Sequence, residues 1–538
     1  MVPSTRAAIA VLDPRDGLPP ARYALELRPG QLPNDVEVSV REALAEFEPE
    51  ISPISPTDHG VLILRIGTRT LHGVTPARAF AAGYALAAEF GLRTAEPDLP
   101  TPFFPEVDPP PEGAPVEEAF RFPPGCWVDA ESGLPDRWAL DRLRVPEAWA
   151  FSQAQGRPAR GLGVVIAQPD TGVIEHTELA GVARVGGFNV LGRDPDPTDP
   201  LDGQNPGHGT GTASVVVSPE SLRVAGSAPT ASHMPIRAIT SVVLTSQVAV
   251  AEAIGHAIDH GAHVITMSLG GVPAAALERA VRRAVAADVI VLAAAGNCVR
   301  VVVWPARYEM CIAVAGTNSA DRMWKGSCRG SAVDISAPGQ NVLKANAARG
   351  GAVGQGQGTS FAVALTAGVA ALWLAHHGRA DLIAAARSRG ETLQDMFRRL
   401  VRATARRPAG WDTLPAGRWH RGRARPARGR PGRRPRPRDG AAARSANRAR
   451  VRGHWSGGRG GRPGGRRGPG ARLAPVRAGT RRRAARRRAE RTARGRAASG
   501  GHDARGERGA RRCGREPATA RPAGSRRRAR ARGGGAGS

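Results

Sequence analysis

Val264-Ile-Thr-Met-Ser-Leu-Gly-Gly271 and Val289-Ile-Val-Leu-Ala-Ala-Ala-Gly-Asn297 open on short aliphatic runs, and Ala274 to Ala287 between them has the apolar spacing of a helix. Strand, crossover helix and strand in this order make a parallel pair. The two runs are apolar at nearly every position, as strands covered on both faces are. The alternation extends in both directions. Gly163 to Ala167 and Met234 to Ile239 read as earlier strands, Ser246 to Asp259 as a helix, Cys311 to Val314 as a later strand, and Ser360 to His376 as a long apolar helix. From about residue 136 to 410 the chain is therefore predicted to be α/β, a doubly wound and mostly parallel sheet.

Ahead of it the pattern differs. Tyr23 to Leu27 alternates, Val61 to Ile66 reads as a buried strand, and Val38 to Phe47 and Pro76 to Phe90 have helical spacing, the latter opened by Thr75 and Pro76. Residues 1–96 are expected to form a small α+β domain. Prolines crowd 97–135, which reads as an extended linker.

The 538 residues carry a net charge of +30, but 411–538 alone carries +34, more than the whole excess. Residues 401–538 hold 43 Arg against six acidic side chains and no Ile, Phe, Tyr, Met or Lys, leaving residues 1–400 at −7. A segment so poor in apolar surface cannot offset its chain entropy, so a disordered tail is expected. The acidic remainder offers no basic footprint for nucleic acid. The Arg-Gly tail could bind RNA phosphates, yet only Trp455 lies beyond residue 420 as a stacking platform. Arg without Lys, with Gly, Ala and Pro, is also what GC-rich codons give in a shifted frame, and a frameshift near 415–421 is the reading favoured here.

No run of about 18 apolar residues stands out for a membrane, and the short apolar start before Asp13 lacks the length of a signal segment. A cytoplasmic location is expected, with export left open. Five cysteines are too few for a disulfide scaffold, reduced thiols are the default, and a Cys298–Cys311 bridge is the pairing left open.

In such sheets reactive groups gather at the carboxyl ends of strands and at the helix N-termini that follow. Three places fit. Gln168-Pro-Asp170-Thr-Gly172 sets a carboxylate at a turn, Asn205-Pro-Gly-His208-Gly-Thr-Gly211 sets an imidazole before a helix, and Gly356-Gln-Gly-Thr-Ser360 sets a hydroxyl at a helix mouth. A serine hydroxyl needs a base within reach, and the base needs a group that fixes its tautomer. Asp170, His208 and Ser360 supply these types. Asn297, with the Ser360 backbone N–H, supplies donors for an oxyanion.

These segments resemble the subtilisin-like serine proteases of the subtilase family: Asp170-Thr-Gly, His208-Gly-Thr, Ser268-Leu-Gly-Gly271, Ala-Ala-Gly-Asn297 and Gly358-Thr-Ser360 occur in the family's order, with Trp304-Pro-Ala and Ile335-Ser-Ala-Pro-Gly339 as further landmarks. The resemblance implies a serine endopeptidase acting on a protein or peptide substrate through Asp170, His208 and Ser360, with Asn297 in the oxyanion hole. It implies substrate lying extended along Ser268, Leu269, Gly270 and Gly271, and an N-terminal domain serving as intramolecular inhibitor. The chain departs from the family after Ser360, where Phe361-Ala-Val-Ala-Leu365 replaces the usual Met-Ala-Ser-Pro-His. Two other classes stay open: a catalytically inactive subtilase-like binding protein, and nucleic-acid binding through the tail. No metal site or cofactor is expected. The carboxylates of Asp194, Asp196, Asp199 and Asp202 could take calcium but show no clear ligand pattern, and His256, His260, His263 and Asp259 have metal-like spacing that solvated helix ends explain equally.

Overall fold

The computed structural model describes residues 4–99, 126, 128, 131–244, 247–347, 351–408 and 411. Most of the Pro-rich linker and the tail from 412 lie outside the described residues. The first compact unit runs from Met1 to Gly432.

Its N-terminal part opens with α1 (Thr5–Ala10), followed by β1 (Asp13–Pro14), β2 (Ala21–Glu26), α2 (Pro33–Ala43), β3 (Pro49–Ser55), β4 (Asp58–Ile66), β5 (Arg69–Thr70), α3 (Pro76–Glu89) and β6 (Thr94–Pro97). Four strands form an antiparallel sheet in the order β3-β4-β2-β6, while β1 pairs with β5. Alternation in β2 and β4 sends Tyr23, Leu25, Leu62, Leu64 and Ile66 to one face, where they pack with Leu44 and Leu86 from the helical side. The strand β3 carries Pro49 and Pro53, which an edge position tolerates because one side of it needs no ladder donors.

The larger part comprises α4 (Trp138–Arg142), α5 (Val145–Ala154), β7 (Val165–Asp170), β8 (Phe188–Asn189), α6 (His208–Val217), β9 (Ser232–Arg237), β10 (Val243–Leu244), α7 (Val248–Asp259), β11 (Val264–Met267), β12 (Gly270–Gly271), α8 (Ala275–Ala286), β13 (Ile290–Ala294), β14 (Ile312–Thr317), β15 (Ile335–Pro338), β16 (Val342–Asn346), β17 (Ala352–Gly356), α9 (Thr359–His377), α10 (Arg379–Ser388) and α11 (Leu393–Thr404). Seven strands form one sheet, ordered β15-β14-β13-β11-β7-β9-β8, with every pairing parallel. The predicted doubly wound α/β architecture is thus observed. Two apolar layers cover the sheet, one built around α7 and α8 and the other around α6 and α9.

Among the described residues, α9 has the length and composition to cross a bilayer, which the sequence reading did not single out. Burial explains the composition: 78% of its apolar window lies inside the protein. Leu365 and Leu374 are 1% exposed, and burying each contributes about 1.5–3 kcal/mol. Phe361, the departure from the family pattern, is buried as well, and its ring lies where a side chain on Gly356 would stand, at 2.5 Å.

Candidate active site

β7, β11 and β13 are adjacent and parallel, so their carboxyl ends deliver Asp170, Ser268 and Asn297 to one rim of the sheet. His208 begins α6 and Ser360 is the second residue of α9, so both helix N-termini face the same rim. Close approach is needed to bring the α6 mouth to the Asp170 turn. Gly209 permits it: a Cβ there would stand 2.2 Å from the Gly172 carbonyl oxygen.

The three candidate residues meet. His208 Nδ1 lies 2.7 Å from Asp170 Oδ1, and His208 Nε2 lies 3.2 Å from Ser360 Oγ. Asp170 is 1% exposed, and donors surround it. The Thr171 N–H donates to Oδ1 at 2.8 Å, and the Thr212 hydroxyl and Gln168 amide reach Oδ2 at 3.2 and 3.4 Å. These donors offset the cost of burying a carboxylate.

Sequence reasoning missed this outer layer. The Gln168 amide also donates to the Gly209 carbonyl and to Thr212, and its Oε1 accepts from His233 Nε2 at 2.8 Å. Burial, helped by the nearby Arg184 guanidinium, pushes His233 down to about 3, so it is neutral at physiological pH. Asp199, in the acidic loop, accepts from the Thr171 hydroxyl at 2.7 Å and the Gly207 N–H at 2.8 Å. The signal available in sequence was only that polar residues flank Asp170 and His208.

Asn297 lies three residues beyond β13 and reaches α9. Its Oδ1 accepts the Thr359 N–H at 3.0 Å and the Thr359 hydroxyl at 2.8 Å. The Ser360 N–H belongs to the first turn of α9, whose N–H groups have no partner within the helix.

The stretch Ser268 to Gly271 borders Ser360: the Ser268 hydroxyl donates to the Ser360 carbonyl at 3.1 Å. Free strand edge is scarcer there than expected. The Gly270 N–H donates to Val242 O at 2.8 Å, and Gly271 exchanges hydrogen bonds with Trp304 at 2.8 and 3.3 Å. A paired edge does not accept another strand without losing its partner.

The open cysteine pairing is corrected. Cys298 bonds to Cys126 of the linker, with an S–S distance of 2.16 Å, and Cys311 is free and buried. The reason is topological: β13 and β14 run parallel, Cys298 follows the carboxyl end of the first, and Cys311 precedes the amino end of the second. The same linker segment touches the serine turn, since the Val128 N–H donates to Gln357 Oε1 at 3.3 Å. The histidines with metal-like spacing are engaged otherwise: His256 Nε2 with Gly186 O, His260 Nδ1 with His256 O, and His263 Nδ1 with the Val165 N–H. Asp259 pairs with Arg283.

The N-terminal sheet lies against α7 and α8. Glu252 of α7 pairs with Arg22 at 3.0 Å and Arg65 at 2.7 Å, and the Glu96 carboxylate accepts the Ala275 and Ala276 N–H groups at the start of α8.

The sequence profile described as the Subtilase family matches residues 161–418, a segment that ends where the Arg-rich composition takes over. Thermitase of Thermoactinomyces vulgaris is 37% identical over 248 residues, covering 45% of this chain and 83% of that protein. Subtilisin Savinase of Lederbergia lenta is 32% identical over 238 residues, covering 44% and 82%. A solved structure titled a cold adapted subtilisin-like serine proteinase is 29% identical, covering 42% of this chain and 83% of that one, with a TM-score of 0.36. Parallel sheet, site geometry and similarity over most of a relative's length agree, and the chain belongs to the subtilase family of serine endopeptidases.

Proposed function

We propose that this chain hydrolyses peptide bonds of protein substrates through Asp170, His208 and Ser360, with Asn297 and the Ser360 N–H binding the oxyanion. The observation that carries the reading is the continuous line from Asp170 Oδ1 through the imidazole to Ser360 Oγ, at 2.7 and 3.2 Å. Ser360 Oγ forms a bond to the substrate carbonyl carbon while its proton passes to His208 Nε2. Asp170 holds the Nδ1–H tautomer and stabilises the imidazolium, remaining ionised itself. When the tetrahedral species collapses, the C–N bond breaks and His208 returns the proton to the leaving amine. Water then attacks the acyl-serine by the same route in reverse. The substrate backbone runs past Ser268 and Leu269 and displaces the contact between Gly270 and Val242.

The N-terminal domain acts as an intramolecular inhibitor, a reading supported by its charged seat on α7 and α8. Labelling of the purified 538-residue chain by a fluorophosphonate tests the catalytic reading. Labelling that disappears in Ser360→Ala is expected; absence of labelling after removal of the N-terminal domain would favour an inactive binding protein.

A further inference from the structure

A cavity of about 40 Å³ opens beside Ser360, Ser268 and Asn297. A single water needs about 10–15 Å³ on such a measure, so the space suits a methyl or hydroxymethyl group and not an aromatic ring. The walls are backbone, at Gly270 on one side and Gly296 on the other, and Val299 and Val303 fill what lies between them. The Val303 methyl stands 2.3 Å from where a Cβ on Gly270 would be and 2.9 Å from one on Gly296. The room that two glycines leave is thus taken by a valine of the chain itself.

Val303 is fixed there. Its N–H donates to Ala295 O at 3.1 Å, and the next residue, Trp304, is hydrogen-bonded to Gly271. Its backbone is therefore tied to both walls. No described residue lining the cavity carries a charge. With the scissile carbonyl carbon at Ser360 Oγ and its oxygen at Asn297, this cavity is where the side chain of the attacked residue must go.

We propose that Val303, seconded by Val299, closes the floor of this pocket and restricts the enzyme to substrates with a small uncharged residue, such as alanine, serine or glycine, on the acyl side of the scissile bond. The proposal rests on the serine-nucleophile reading above. Discrimination by a pocket that differs by a methylene is about 10- to 200-fold, and a benzyl group exceeds the space by far more.

The test compares peptidyl diphenyl phosphonates that differ only in the terminal side chain, alanine or phenylalanine, on the full 538-residue chain, with a fluorophosphonate alongside that fills no pocket. The alanine probe is expected to react at least about 100-fold faster than the phenylalanine probe. Val303→Gly should narrow that ratio by about tenfold or more, and Val303→Ala by less. The ratio is internal to each variant, so a general loss of folded protein does not mimic the result. Fluorophosphonate labelling with equal rates for the two peptidyl probes overturns the proposal while leaving the nucleophile reading intact. Failure of the fluorophosphonate overturns the nucleophile reading, and the proposal with it.

Discussion

Asn297 Oδ1 accepts both the backbone N–H and the hydroxyl of Thr359, the residue before Ser360. With its oxygen occupied twice, the amide is held in one orientation and its NH₂ faces away from Thr359. On the proposed reading this NH₂ binds the oxyanion, and removing one oxyanion-hole donor costs about 10²- to 10³-fold in kcat in subtilisin, itself a member of this family. Asn297→Ala is expected to fall in that range with KM little changed, as steady-state kinetics on a peptide substrate would show; a proportionate rise in KM instead would place Asn297 in ground-state binding.

Gln168 should matter for a different reason. It joins Asp170 Oδ2 to the neutral His233, and a hydrogen bond to a charged group is worth about 1.5–3 kcal/mol. Gln168→Leu is expected to lower kcat by about tenfold or more. Thermal unfolding measured in parallel should show whether rate falls further than stability, which a purely structural role would not produce.

The buried His233 makes part of the stability acid-sensitive. Its folded value, about 3, lies below the unfolded value of about 6.5. Between these pH values the unfolded chain binds the extra proton. Stability is therefore fully present above pH 6.5 and is lost as pH falls toward 3, by up to about 1.4 kcal/mol per pH unit. In a Ser360→Ala background that prevents self-digestion, His233→Gln should flatten this portion of the Tm against pH curve; an unchanged slope would contradict the assignment.

Glu252 seats two arginines of the N-terminal domain. Breaking a buried pair by removing one partner costs about 3–5 kcal/mol because a charge is left without compensation. Glu252→Ala is expected to loosen the N-terminal domain and raise the peptidase rate of the unprocessed chain, whereas a rate equal to that of the parent chain would show that this contact does not hold the domain in place.

The parallel sheet was legible because its strands are apolar on both faces and its helices on one, and Asp170, His208 and Ser360 were legible because each sits in a short glycine-bearing segment at a strand or helix end. Boundaries came close: α8 was read as 274–287 and spans Ala275–Ala286. β3 was missed, since Pro49-Glu-Ile-Ser-Pro53 carries no strand signal apart from its place at a sheet edge. The roles of Gln168, His233 and Asp199 around the site were missed because most of the hydrogen bonds that join them to it span 8 to 65 positions and leave no periodic trace. The partner of Cys298 was hidden for the same reason, being 172 residues away.

That separation has a use. A nick in residues 100–125 leaves the N-terminal domain with no covalent tie to the rest, while a nick at any position between Cys126 and Cys298 yields two pieces that stay joined until a reductant is added. The cystine thus records where the backbone was opened: gels run with and without thiol should coincide for a cut upstream of residue 126 and differ for any cut inside the loop it closes.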